Sequence, residues 1–140
     1  MASAVPFPAH ADDVPVLFFD RDVGAKLPQA LISVGLPVPV EYHQLYFPQN
    51  AADDLWMPIV GARGWVVLGR DRHHHTRESE RAAVRDYGIG CFYLWGGDKP
   101  SYEKMRCFLA AYDKIIEAAL TTPRPFVYRV NKAGNLLRLD

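Results

Sequence analysis

Short apolar strands alternating with amphipathic helices predict an α/β fold, with a mainly parallel central sheet flanked by helices and a C-terminal β-hairpin. Three observations carry this. Val14–Phe19, Trp65–Leu68 and Cys91–Trp95 are continuous apolar runs, as expected of strands covered on both faces. Segments of helical periodicity separate them, the alternation that builds a parallel sheet. The chain closes with two apolar runs, 126–130 and 136–139, around the turn sequence Asn131-Lys132-Ala133-Gly134.

Residues 1–13 are Pro/Ala-rich and read as a flexible leader; 14–140 reads as one domain, in keeping with a length of 140 residues. After Phe19 the chain turns through Asp20-Arg21-Asp22, and Leu27, Leu31 and Val34 mark a helix that stops at Gly35. The run 37–42 is a weaker strand whose prolines suit an edge or a strand start. Asp53 and Asp54 open a short helix with Leu55, Trp56, Ile59 and Val60, its end marked by Gly61 and Gly64. A basic loop, Arg72-His73-His74-His75, leads to a helix over 76–87 that Thr76 would cap. Ser101 would cap a long helix to about Leu120, with Met105, Phe108, Leu109, Tyr112, Ile115, Ile116 and Ala119 as its apolar stripe.

Hydrophobic residues make up 49% of the chain, enough for a substantial core. The formal net charge is zero, which excludes a generic polyanion binder and leaves any nucleic-acid contact to a local patch. Cys91 and Cys107 lie in apolar runs and read as buried free thiols. No basic-then-apolar leader stands at the start, and no apolar run approaches the ~20 residues of a membrane span. The expectation is a soluble cytoplasmic protein.

Open parallel sheets bind ligands at the carboxyl ends of their strands. Three apolar strands here finish in an acid: Asp20, Asp71 and Asp98. Crowded carboxylates oppose one another's ionisation. A hard divalent cation with oxygen ligands, Mg²⁺ or Mn²⁺, would compensate them and activate water against a phosphodiester. Asp53 is either a further member or a helix cap, and Asp22 is open to the same two readings. Asp54 reads as a solvated first-turn acid. Arg21, Arg70, Arg72 and Arg77 adjoin these acids and suit a phosphate backbone. Three consecutive histidines, 73–75, rarely converge on one ion. Phe92, Tyr93 and Trp95 read as core rather than as base-stacking platforms.

The order of these motifs resembles a PIN-like domain. Phe18-Phe19-Asp20, the helix ending at Gly35, Asp53-Asp54-Leu55-Trp56 and the run from Gly61 through Val66-Val67-Leu68-Gly69-Arg70-Asp71 carry the likeness over about 14–98. The closer similarity is to the VapC-type toxin branch, with Mut7-C-like relatives. The resemblance implies a single PIN-like domain over 14–140 and a metal-dependent endoribonuclease, the toxin of a toxin–antitoxin pair. Its substrate would be RNA, its partner a cognate antitoxin, and self-association into a homodimer is a further expectation. Asp20, Asp53 and Asp71 match the family's catalytic, metal-binding acids, with Asp98 or Asp22 completing the set; Arg21, Arg70 and Arg72 would meet the RNA. Two departures stand out. Gly69 replaces a common Ser or Thr, and the fourth acid past Asp71 is missing, with His75 near its place.

Two other functions fit parts of the pattern. A haloacid-dehalogenase-type phosphatase would use Asp20 as nucleophile and Asp22 as acid/base, but Gly24 stands where a Thr usually follows. A catalytically degenerate PIN-like module kept for protein binding is the non-enzymatic alternative.

Overall fold

The computed structural model describes residues 14–71 and 78–139. Six strands form one sheet: β1 (Leu17–Phe19), β2 (Val40–Tyr42), β3 (Val66–Arg70), β4 (Gly90–Leu94), β5 (Phe126–Val130) and β6 (Leu136–Arg138). Their spatial order is β2-β1-β3-β4-β5-β6. The first five are parallel, and only β6 runs antiparallel, against β5. Four helices connect them: α1 (Lys26–Ser33), α2 (Asp53–Arg63), α3 (Glu78–Asp86) and α4 (Ser101–Thr121). The α/β class and the terminal hairpin are as the sequence predicts.

Both faces of the sheet are covered, which explains the unbroken apolar strands. Leu17, Phe19, Val66, Leu68, Phe92 and Phe126 point to one face and meet Leu27 and Leu31 of α1 and Phe108 and Ile115 of α4. Phe18, Val67, Cys91 and Val127 point to the other, against Trp56, Met57 and Val60 of α2 and Val84 of α3. Both cysteines are buried and free. Among the described residues no helix is long and apolar enough to cross a membrane.

Local boundaries depart from the sequence reading where capping chemistry yields to packing. Ser101 is the first residue of α4 rather than its cap; Pro100 holds the cap position in an extended conformation and supplies no side-chain hydrogen bond. Asp53 likewise falls inside the first turn of α2, with Ala52 at the cap. There its charge still favours the helix dipole. Pro58 lies within α2, and the helix runs on to Arg63, closed by Gly64 in the left-handed conformation. The 1–13 leader, the Thr76 cap, Arg72, Arg77 and the three histidines lie outside the described residues.

The closing hairpin is fastened to α4. Asn131 accepts the Gly134 amide at its carbonyl, 3.0 Å, and the Asn135 amide at its Oδ1, 2.9 Å. Gly134 has φ +86°, and a Cβ built there would stand 2.7 Å from the Ala110 carbonyl carbon. A backbone neighbour in a long helix has little room to give. Gly134→Ala is therefore expected to destabilise the protein by about 1–3 kcal/mol, combining left-handed strain with overpacking. Urea denaturation would show the midpoint falling at unchanged slope.

Candidate active site at the sheet edge

The chain passes from β1 outward to β2 and then crosses to β3 on the other side, so the topological switch lies between β1 and β3. Ligands of open α/β sheets bind there, beyond the strands' carboxyl ends. One residue past each parallel strand stand Asp20, His43, Asp71, Trp95 and Asn131. The parallel register puts these five along one edge.

Asp20 ends β1, and its amide donates to the Leu68 carbonyl, 2.9 Å. Its Oδ1 accepts the Arg21 amide at 2.7 Å and so caps a 3₁₀ turn, Arg21–Val23. The turn carries Asp22 back over the sheet, where Oδ1 takes the Arg70 amide at 3.3 Å. Asp20, Asp22, Asp53 of α2 and Glu80 of α3 line one small cavity, whose floor and walls include Val67, Gly69, Cys91, Trp56 and Tyr93. Its free space is about 20 Å³, enough for roughly one water-sized species. The Tyr93 ring packs over Gly69; a Cβ there would stand 3.3 Å from ring carbons and 4.0 Å from Asp22 Oδ1. The missing Ser/Thr hydroxyl thus has its place beside Asp22 filled by the Tyr93 ring.

The cavity's electrostatics follow from its acids. Burial above all, then the charges of Asp22 and Asp53, push the Asp20 carboxyl up to about 7, against the lowering pull of the Arg21 amide and guanidinium. Burial also raises the Cys91 thiol well above its ordinary value, and the charges of Asp20, Asp22 and Glu80 add to this. Cys91 is consequently a core thiol, not a nucleophile.

Arg21 is the internal counter-charge. Its Nη2 donates to Asp53 Oδ1 at 2.9 Å, and its Nη1 meets His43 Nε2 at 3.2 Å and the Ala51 carbonyl. His43 is fully buried. Burial first, then the Arg21 charge, lower its pKa to about 4. The imidazole is therefore neutral, and its Nε2 serves as an acceptor for Arg21. Arg21, expected to meet RNA, is placed inside this network.

Asp20 and Asp53 are thus brought together, with Asp22 beside them. Asp71 and Asp98 line a different cleft, beyond Arg70. Asp71, expected to crowd Asp20 and Asp53, faces a cation: Arg129 Nε lies 3.2 Å from its Oδ2, and the Asp71 side chain is 7% exposed. Arg129 comes from β5, two strands away, so no local pattern announces the pair. Glu80 and His43 were not singled out from the sequence. Glu80 carried a signal: it sits four residues before the core residue Val84, hence on the inward face of α3. His43 carried one too, in directly following a strand end.

Asp20 binds a proton more readily folded than unfolded across the window from its ordinary 3.8 to about 7. Its contribution is therefore most favourable below pH 4 and is lost as pH rises to 7. His43 acts oppositely: its contribution is present above 6.5 and is lost as pH falls toward 4. Asp20→Asn should remove only the first effect. In divalent-free buffer the mutant should gain stability near pH 7, with Tm up by about 5 °C, and gain little near pH 4. Calorimetry of both proteins across this range checks it; equal gains at both ends would contradict the assignment.

Comparison with known families agrees with the fold. The family model described as PIN like domain matches residues 15–96, which hold β1 to β4 and all four carboxylates of the cavity. No curated protein matches the chain, and no solved structure does. Since the matched span is more than half of the sequence, the chain belongs to the PIN-like domain family.

Proposed function

We propose that this protein is a metal-dependent ribonuclease whose working acids are Asp20, Asp22, Asp53 and Glu80. The observation that carries this reading is that four acidic residues, from the β1 end, α2 and α3, line one small cavity at the sheet's switch point. PIN-like domains are commonly metal-dependent nucleases, and the donor set here is all oxygen, the preference of Mg²⁺ and Mn²⁺.

The donors suit a divalent cation chemically. Among the described residues no three His, Cys, Asp or Glu side chains form a ready metal-holding cluster. The Arg21 guanidinium draws the Asp53 carboxylate to itself. Asp20 Oδ1 is taken by the Arg21 amide, which leaves Oδ2 to face a cation or a water. A bound cation would polarise the phosphodiester and ease deprotonation of the attacking water. The protein's own part is to hold the acids and to keep bulk water out with Trp56, Met57 and Val84. Asp71 then serves the scaffold, tying β3 to β5 through Arg129.

This reading separates two aspartates that sequence order alone treats alike. Asp20→Asn and Glu80→Gln should each lower Mn²⁺-dependent cleavage of single-stranded RNA at least a hundred-fold, and should shrink the Tm rise that Mn²⁺ gives wild type. Asp71→Asn should keep cleavage within a few-fold and cost about 1–2 kcal/mol of stability, because the charge of the Asp71–Arg129 ion pair is lost on its buried side. An inactive but stable Asp71→Asn would return that residue to the catalytic set.

The finer placement as a toxin with a protein antitoxin rests on the sequence resemblance, not on the site. Induced expression should arrest growth with wild type and not with Asp20→Asn, at equal protein levels. Unimpaired growth with active wild type would leave a ribonuclease of another role.

A further inference from the structure

Beyond Arg70 the sheet edge opens into a second, larger space that the acid cavity does not use. A cleft of about 650 Å³ lies between Arg70, Asp71, Trp95, Gly96, Asp98 and Lys99. Trp95 also lines a neighbouring hollow of about 370 Å³ with Arg106 of α4 and Lys132 of the hairpin. The Trp95 indole therefore stands as the wall between the two. Trp56 and Trp65 are 1% and 4% exposed, whereas Trp95 is only half-buried. Lys132 Nζ lies 5.5 Å from its ring centroid, a cation–π contact that keeps a positive charge at the ring.

The cleft is joined to the acid cavity through one residue. The Arg70 amide is held by Asp22 in the acid cavity. The Arg70 side chain lies across Gly97, where a Cβ would collide with its Nε, Cδ and Cγ. Arg70 and Lys99 line the one space and Arg106 and Lys132 the other, with Trp95 common to both, against Asp98 and Glu103, while Asp71 is paired with Arg129. On a chain of zero net charge this is a local cationic surplus. An aromatic face ringed by cations suits a flexible polyanion with flat, unpaired bases: the bases stack and the phosphates meet the charges. A duplex hides its base faces, and an acidic peptide has nothing to stack.

We propose that Trp95, with Arg70, Arg106 and Lys132, forms a base-stacking subsite that holds single-stranded RNA alongside the acid cavity. The choice of RNA rests on the ribonuclease reading above. The subsite revises the expectation that Trp95 is simply core: its inner side packs on the α4 side of the sheet, and the outer part is the platform.

The test is binding in EDTA, so that cleavage plays no part. The probe is an end-labelled oligouridylate, followed by anisotropy and by intrinsic tryptophan fluorescence. Because the other two tryptophans are buried, saturable quenching reports Trp95. Wild type should bind with quenching. Trp95→Phe should keep most of the affinity and lose the quenching; Trp95→Ala should bind roughly ten-fold more weakly. Lys132→Ala with Arg106→Ala should weaken binding and flatten its dependence on salt. Binding without tryptophan quenching, or no binding at low salt, overturns the subsite, as does equal affinity for an acidic peptide of the same length. The Mn²⁺-induced Tm rise, which depends on Asp20 and Glu80, is read separately. Its loss with RNA binding intact would count against the ribonuclease and not against the subsite.

Discussion

The constraint on which the rest depends is the parallel pairing of β1 with both β2 and β3. It buries Leu17, Phe18 and Phe19 completely and delivers the next residue, Asp20, to the switch point without any loop to carry it. A carboxylate so placed has lost most of its water, and Asp22 and Asp53 are beside it. The fold therefore holds a charge problem at its centre. Part is met by the raised proton affinity of Asp20, part by the Arg21 amide, and part by the guanidinium on Asp53. Arg21 can do this because the 3₁₀ turn reverses its direction and because His43 and the Ala51 carbonyl fix its other nitrogen. A buried neutral histidine is what such a clamp requires: an imidazolium there would repel the arginine it steadies.

The two faces of the sheet divide the labour. The α1/α4 face is the larger apolar cluster and carries no acid of the cavity. The α2/α3 face is thinner and admits Asp53 and Glu80 from its helices. The acid cavity lies on the side with the smaller apolar cluster. The far end of the same edge is closed by Asp71 and Arg129, whose pairing joins β3 and β5 across β4.

Much of this was legible in the sequence, for identifiable reasons. Strands buried on both faces announce themselves as unbroken apolar runs, so β1, β3 and β4 and their order followed directly; so did Asp20, the first residue after such a run. The boundaries of α2 and α4 were less legible because Asp53 and Ser101 are good caps that the chain uses one position later. Asp71 stands where the sequence places it, with a partner that the sequence does not show. It does end a buried strand, but its counter-charge comes from Arg129, 58 residues further along by number, and sequence spacing cannot show a pair made across a strand. Glu80 escaped because one acid in a charged helix, Glu78-Ser79-Glu80-Arg81, looks like a solvated face; only the helical offset from Val84 sets it apart.

The relation between Arg21 and the acid cavity bears on how such a site is kept stable without its ion. Two charges held at a short distance in a partly buried setting attract strongly, and the same setting makes either one alone expensive. If Asp53 joins a cation, Arg21 loses a partner but keeps His43 and the Ala51 carbonyl, both neutral acceptors. It is then a cation without its carboxylate beside a newly bound cation, which repels it. The cheapest relief is an incoming anion, and a phosphodiester is one. On the proposed ribonuclease reading, the clamp would give a physical reason for ion and substrate to favour each other's binding: the first would unmask a guanidinium that the second could satisfy. The sign of that coupling follows from charge alone, and its size from how far Arg21 can turn while His43 and Ala51 still hold it.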